Sequence, residues 1–155
     1  MTFLLEGTDA TEALGASLAD LLPLGAVVYL IGDLGAGKTT LVRGFLRAKG
    51  IQGAVKSPTY TLVETYVLSE GCVNHFDLYR LSNGDELELI GVRDYVGCEH
   101  ICFFEWPDRA QEMLPKATLE ITLEARRQAR IVQIKGDWEG CDELIKRLQV
   151  KFQSV

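Results

Sequence analysis

The sequence predicts an α/β fold in which helices cover both faces of a mixed, mainly parallel sheet that carries antiparallel hairpins. Three observations predict it. A short apolar segment at 26–31 leads into a glycine-rich loop and then into a segment with helical apolar spacing at 39–47. A second apolar segment at 101–105 ends on an acid, which is typical of a buried parallel strand. Paired strand-like segments within 60–79 and 118–135 predict two hairpins.

The composition is that of one domain spanning residues 1–155, with 47% hydrophobic residues and therefore enough apolar side chains for a core. No apolar run reaches 18 residues and no basic, signal-like start is present, so we expect neither a membrane span nor a signal peptide. The four cysteines form no C-x-x-C pair, and we expect reduced thiols in a cytoplasmic protein. A net charge of −6 argues against a broad nucleic-acid-binding face.

The first helix is expected to begin at Asp9, which would cap it, with Glu12 completing a capping box. This helix would end at Pro23 and Gly25, before the strand predicted at 26–31. The apolar stripe of this helix consists of Ala13, Leu14, Ser17, Leu18, Leu21 and Leu22.

The segment Gly32–Thr39 fits the spacing G-x-x-x-x-G-K-[ST] of the phosphate-binding loop of nucleoside triphosphatases. Its glycines permit positive φ and a close approach of the backbone to phosphate, and the following helix N-terminus favours an anion. Lys38 would charge-pair with the β- and γ-phosphates, and the Thr39 hydroxyl would ligate Mg²⁺. The loop therefore predicts a P-loop NTPase-like three-layer sandwich. The loop residues expected at the nucleotide are Asp33, Leu34, Gly35, Ala36, Gly37, Lys38, Thr39 and Thr40.

The remaining elements follow in order. The sequence predicts two hairpin strands at 60–68 and 72–79. It also predicts a short acidic helix at 83–90 and a further helical turn at 92–96. Beyond the acid-ended strand, 109–114 reads as a short helix. A hairpin of 118–124 and 131–135 should follow, with Arg126 and Arg127 in its turn, and helical spacing from 138 to 152 closes the domain.

Two acids could serve a magnesium–nucleotide site. Glu105 is the stronger candidate because it ends a fully apolar strand, where an unused charge is costly. Asp77 ends a less apolar strand and could instead cap a turn. Trp106 could stack on a purine or belong to the core. His75 is expected to be a structural or surface residue rather than a catalyst.

The segment Ser57-Pro58-Thr59 is open to two interpretations, a mobile loop that senses the γ-phosphate or a proline turn that leads into a strand. No N-K-x-D segment is present, so adenine is favoured over guanine. A small-molecule kinase and a nucleotide-dependent binding module remain alternatives to an ATPase. A kinase would be expected to have a more arginine-rich lid than the group at 126–130 provides.

Four motifs, at 32–40, 56–64, 75–81 and 105–107, in this order and spacing, resemble the bacterial TsaE (YjeE) family. The resemblance implies the ATPase component of tRNA threonylcarbamoyladenosine (t6A) biosynthesis, with ATP and Mg²⁺ as cofactors. It implies TsaB and TsaD as partners, which transfer the threonylcarbamoyl group to the adenine next to the anticodon. Weak ATP hydrolysis would drive turnover of their complex, and tRNA would be contacted indirectly.

The resemblance also implies roles for individual residues. Lys38 would contact phosphate, and Thr39 and Glu105 would ligate the metal. Asp77 would be a Walker-B-like acid near the γ-phosphate, and 57–59 would be the switch segment. Further residues implied at the nucleotide are Thr8, Thr11, Thr59, Trp106, Asp108 and Arg126, the last together with Arg127.

Overall fold

The computed structural model describes all residues from 1 to 155. The α-helices are α1 Gly7–Ala19, α2 Lys38–Ala48, α3 Asp85–Leu89 and α4 Cys141–Lys151. The strands are β1 Thr2–Glu6, β2 Val27–Ile31, β3 Val63–Leu68, β4 Gly71–Asp77, β5 His100–Glu105, β6 Leu119–Arg126, β7 Ala129–Gly136 and β8 Gln153–Ser154. Short 3₁₀ turns occur at Val92–Tyr95, Pro107–Arg109 and Gln111–Met113.

All eight strands form one sheet in the order β3-β4-β5-β2-β6-β7-β1-β8. The four central strands β4, β5, β2 and β6 are parallel neighbours. Antiparallel hairpins flank them, β3 with β4 and β6 with β7, and β1 and β8 continue the second flank. Because β1 pairs antiparallel with β7, it points the same way as the central four. The predicted mixed, mainly parallel sheet is therefore confirmed.

The sheet is the middle of three layers. Side chains alternate along β2, so that Val28 and Leu30 enter a 25-residue core under α1, α2 and α4. Val27 and Tyr29 enter a smaller core of 10 residues on the opposite face, covered by α3 and the 3₁₀ turns. The helical layers are thus unequal, and the larger one supports the loop-bearing helix α2.

The capping box predicted at the first helix is wrong. Helix α1 begins at Gly7, before Asp9, and its N-cap residue Glu6 makes no side-chain capping bond. The Glu12 carboxylate instead accepts a hydrogen bond from Arg43 of α2 at 2.8 Å. The chain enters α1 directly from β1, which leaves no room for a capping turn.

Some boundaries also differ from the sequence-based expectations. Strand β3 begins at Val63, because Leu62 adopts a positive φ of 71° and its N–H closes a turn onto Pro58 O at 2.7 Å. Arg126 is the last residue of β6 and Arg127, with φ 54°, forms the turn. The closing helix is shorter than 138–152. All four cysteines are free thiols, and none of the helices is long and apolar enough to span a bilayer.

Candidate nucleotide-binding site

A polar cavity of about 330 Å³ opens where the phosphate loop meets the carboxyl ends of β4 and β5. Such an edge of a parallel sheet is where open α/β proteins bind ligands. The structure brings most of the predicted site residues together here. The cavity is lined by Leu34, Gly35, Gly37, Lys38, Thr39, Thr40, Ser57, Thr59, Asp77, Glu105, Trp106 and Arg130.

The loop has the backbone conformation that its glycines were expected to provide. Gly35 and Gly37 have φ of 77° and 109°, in the left-handed region that a side chain disfavours. A Cβ at Gly37 would also lie 2.6 Å from the Arg130 Nε. Helix α2 starts immediately afterwards, at Lys38, so the N–H groups of its first turn face the cavity without intrahelical acceptors. This arrangement suits an anion.

Lys38 is 5% exposed and lies along the cavity wall. Its Nζ donates to the carbonyls of Gly32 and Asp33, the second at 2.9 Å, and lies 4.6 Å from the centroid of the Trp106 ring. Burial lowers the pKa of Lys38, and three nearby carboxylates oppose that shift. A cation is thus held at the loop by carbonyl dipoles and carboxylates, with little access to water.

Glu105 is the acid next to the loop threonine. Thr39 Oγ1 lies 3.3 Å from both Glu105 carboxylate oxygens. Glu105 is itself 3% exposed, and its Oε2 lies 3.0 Å from Nε2 of the buried His75. The stronger of the two predicted acids therefore sits beside Thr39, as a joint metal site requires.

Asp77 has a different set of partners. Its Oδ2 accepts hydrogen bonds from the hydroxyls of Ser57 and Thr59, each at 2.8 Å. Its Oδ1 accepts the backbone N–H of Tyr79 at 3.0 Å. Asp77 thus caps a turn with one oxygen and holds the Ser57-Pro58-Thr59 segment with the other, while its role at a magnesium–nucleotide site stays a prediction.

The donor atoms at the cavity fit a magnesium ion. Hydroxyl and carboxylate oxygens of Thr39 and Glu105 are the hard ligands that Mg²⁺ prefers, and the rest of its shell usually comes from phosphate and water. The protein offers no cluster of three or more His, Cys, Asp or Glu side chains that could hold a metal alone. The site suits a metal that enters with a phosphate ligand.

Besides Asp33 and Ala36 of the loop and Arg127 of the hairpin turn, four residues implied at the nucleotide do not line the cavity. Thr8 and Asp108 are exposed on the surface. Thr11 is fully buried and donates to the Gly7 carbonyl at 3.2 Å. Arg126 forms an exposed ion pair with Glu124 at 2.6 Å. The contacts described here give these four no place at the cavity, and their roles at a nucleotide stay predictions.

Two contacts at the cavity were not predicted from the sequence. Arg130 lines the cavity, where its Nε donates to Ala36 O at 2.8 Å and its guanidinium donates to Gly7 O at 3.1 Å. It thereby ties the loop to the start of α1. His75, expected to be a structural or surface residue, is buried against Glu105, and it was this contact that was not predicted. Both contacts join segments far apart in the chain, and only the basic group at 126–130 could have pointed to Arg130.

Trp106 has a strained backbone and a half-buried ring. Its φ of 58° is unusual for a bulky side chain, and its ring lies 5.0 Å from that of Tyr79 at an angle of 52°. The ring borders the cavity beside Lys38 and also packs against the smaller core.

The fold is the three-layer α/β arrangement predicted from the sequence, and the loop has the spacing and glycine conformations expected of a phosphate-binding loop. The chain belongs to the TsaE family: the family described as "Threonylcarbamoyl adenosine biosynthesis protein TsaE" matches residues 5–132. The resemblance seen in the four motifs is confirmed.

Individual relatives agree with this assignment. A Haemophilus influenzae protein named tRNA threonylcarbamoyladenosine biosynthesis protein TsaE is 50% identical over 108 residues, covering 70% of this chain and 68% of its own. The protein of the same name from Aquifex aeolicus is 38% identical over 130 residues, covering 83% of this chain and 92% of its own. Among solved structures, YdiB of Bacillus subtilis is similar with a TM-score of 0.78 at 26% identity, covering 97% of this chain and 95% of that one.

Proposed function

We propose that this chain is the ATP-binding and weakly hydrolysing subunit of the machinery that makes threonylcarbamoyladenosine in tRNA. It acts in the cytoplasm with TsaB and TsaD and drives turnover of their complex rather than performing the transfer. The observation that carries the proposal is the convergence of Lys38, Thr39 and Glu105 at one cavity. The names of the relatives support the pathway.

In this proposal, different groups at the cavity bind different parts of a magnesium–triphosphate ligand. Loop N–H groups and the start of α2 would hold the phosphate oxygens, and the Lys38 ammonium would exchange its carbonyl partners for the β- and γ-phosphates. Thr39 and Glu105 would hold the metal. When bound, Mg²⁺ supplies positive charge that offsets the negative charge developing on the phosphates. Trp106 offers an aromatic surface to the adenine.

The switch segment 57–59 gives the site a way to signal. Its two hydroxyls are fixed only by Asp77, at the cavity end of β4, and by each other at 2.8 Å. A γ-phosphate near Asp77 would compete for these hydroxyls, so the segment would take different positions before and after hydrolysis. Tyr60 follows directly and is 85% exposed, where a partner protein can contact it.

The charge of the chain is consistent with indirect contact to tRNA. The net charge is −6, whereas a protein that holds a phosphate backbone needs clustered basic side chains. In this proposal, TsaB and TsaD hold the tRNA and this chain supplies the nucleotide-dependent step.

The test is ATP hydrolysis by the purified chain alone, with TsaB, with TsaD and with both, beside the Lys38→Ala variant. We expect slow hydrolysis by the chain alone, stimulation by the pair, and none with the variant. Tight ATP binding without stimulation would instead show a nucleotide-dependent binding module. Phosphate transfer to a metabolite rather than to water would show a kinase.

A further inference from the structure

His75 has no assigned role in the proposed site, yet it touches the acid at its centre. Its side chain is fully buried, and its Nε2 lies 3.0 Å from Glu105 Oε2, whose side chain is 4% exposed. His75 lies on β4 two residues before Asp77, and β4 pairs in parallel with β5, which ends at Glu105. The pleat therefore directs His75 to the same side of the sheet as the two acids.

The hydrogen bonding of the ring shows which nitrogen is the donor. Nδ1 of His75 is buried and has no hydrogen-bond partner. A proton on Nδ1 would be a buried donor without an acceptor, which is more costly than an unpaired lone pair on a ring nitrogen. The proton of the neutral ring therefore belongs on Nε2, from which it is donated to Glu105.

The same carboxylate has two competing neighbours. Thr39 Oγ1 lies 3.3 Å from both of its oxygens, and the Lys38 ammonium is close enough for Glu105 to influence its pKa. Without a third partner, the carboxylate could turn from the threonine toward the lysine. The His75 N–H fixes Oε2, which sets the carboxylate plane, and Oε1 keeps only the Thr39 hydroxyl as a hydrogen-bond partner, on the side where the metal is expected.

We propose that His75 is a positioning residue that orients the Glu105 carboxylate for the metal. This inference rests on the proposed function, because it concerns the metal acid of that site. Partners that hydrogen-bond to metal-ligating side chains typically change metal affinity 10- to 100-fold when removed. An apolar residue of similar size would fill the space without leaving a buried nitrogen unpaired, so packing alone does not account for a histidine here.

The test uses three variants and a fluorescent ATP analogue. His75→Gln places an N–H near the position of Nε2, whereas His75→Asn is too short to reach Glu105 and His75→Leu has no donor. Analogue binding is titrated with Mg²⁺ and repeated in EDTA, and thermal unfolding is followed for each protein. Asn74→Ala is the matched control, because Asn74 is buried on the same strand but hydrogen-bonds to Thr65, Tyr95 and His100.

We expect the Asn and Leu variants to need about tenfold more Mg²⁺ for half-maximal enhancement of binding. The Mg²⁺ requirement of the Gln variant should stay within about threefold of wild type, and that of Asn74→Ala should equal wild type. Binding of the analogue in EDTA should be unchanged in all three His75 variants. If the Leu variant does not fold, the difference between Gln and Asn decides the question. Magnesium requirements equal to wild type in both Asn and Leu, or a Gln variant no better than Asn, would overturn the inference while leaving the proposed function intact. Wild-type protein whose analogue binding does not respond to Mg²⁺ would refute both.

Discussion

Lys38 is the basic side chain of the phosphate loop, and its surroundings show how the site holds a positive charge. The side chain is 5% exposed, and its ammonium contacts two loop carbonyls and the Trp106 ring. These neutral groups are weaker partners for a cation than an anion would be. Burial lowers the pKa of Lys38, whereas the surrounding carboxylates oppose that shift and favour the charged form. A triphosphate would replace these weaker partners and gain hydrogen bonds assisted by full charges.

Replacing Lys38 with Ala should therefore weaken triphosphate binding. Hydrogen bonds between charged groups contribute about 1.5–3 kcal/mol, so we expect a loss of roughly tenfold to hundredfold or more, measured by calorimetric titration with ATP and Mg²⁺. Lys116→Ala is the control, because Lys116 pairs with Asp137 on the surface with 85% of its side chain exposed. Equal ATP affinity in the two variants would show that the cavity is not the triphosphate site.

The two acids should differ in their effect on metal dependence. Glu105 lies beside Thr39, whereas Asp77 accepts hydrogen bonds from the hydroxyls of segment 57–59 and from a turn N–H. Glu105→Ala should raise the Mg²⁺ concentration required for ATP binding by about tenfold or more, and Asp77→Ala by clearly less. A magnesium titration of ATP binding checks this order, and the reverse order would mean that the metal lies on the Asp77 side.

Cys102 should make the protein sensitive to alkaline pH. Burial raises the pKa of its thiol to about 12 from 9, despite a hydrogen bond from Asn74 that lowers it. The folded state therefore keeps a proton that the unfolded state loses above pH 9, and stability should fall by up to about 1.4 kcal/mol per pH unit between 9 and 12. Urea unfolding at a series of pH values should show a shallower alkaline decline for Cys102→Ala. Parallel declines would place the thiol pKa near its ordinary value.

At the residue scale, the sequence predicted those site residues whose chemistry is local. Lys38, Thr39 and the loop glycines occupy adjacent positions in a motif with a known backbone geometry, and Glu105 follows from one apolar strand. The place of Arg130 at the cavity and the contact of His75 with Glu105 were not predicted, because the partners Ala36 and Glu105 are 94 and 30 positions away. A long-range contact depends on strand order, which periodicity does not reveal.

Two glycines determine how closely the loop-bearing helix packs. A Cβ at Gly44 of α2 would overlap the backbone of Glu12 in α1, and a Cβ at Gly15 of α1 would overlap the Leu41 carbonyl in α2. The helices thus meet backbone to backbone. This close packing, together with the Glu12–Arg43 ion pair, fixes the N-terminus of α2 relative to the sheet.

Gly44→Ala should consequently destabilise the protein by about 1–3 kcal/mol, the usual cost of overpacking, although alanine is the better helix former. The free energy of unfolding in urea measures this. Gly84→Ala is a suitable control, since Gly84 has an ordinary φ of −67° and its added Cβ would meet the flexible Met113 side chain, 2.7 Å from Cγ. Stability unchanged by Gly44→Ala would mean that the two helices can separate at no cost.

At the element scale, strands with strong patterns were predicted and weak ones were not. β2 and β5 are continuous apolar runs, and the two hairpins are marked by turn residues. β1 was not predicted, although Phe3 and Leu5 alternate into the core, because five residues at a chain end resemble many other short segments. The two-residue β8 exists only through its pairing with β1. Its residues have no pattern of their own.

At the scale of the whole molecule, the net charge differs from the local charges at the cavity. A net charge of −6 is spread over the surface, whereas the cavity has the amide groups, Lys38 and Arg130 that an anion needs. The cavity also has the carboxylates of Asp77 and Glu105, so it offers local partners to a phosphate that carries a metal ion, whereas the net charge of the molecule repels long polyanions. The fold class followed from the sequence because it depends on a few consecutive elements, whereas this distribution of charge requires the coordinates.

The purified chain alone should therefore not bind tRNA. At about 0.15 M salt, even non-specific binding by basic proteins has Kd values near 10⁻⁴–10⁻⁶ M, and we expect this acidic chain to bind more weakly than about 10⁻⁴ M in fluorescence anisotropy with labelled tRNA. Binding should appear only when TsaB and TsaD are added. The densest basic group of the chain is the hairpin turn with exposed Arg126 and Arg127. Micromolar binding by the chain alone, lost in the Arg126→Glu/Arg127→Glu double variant, would show instead that this turn contacts the tRNA directly.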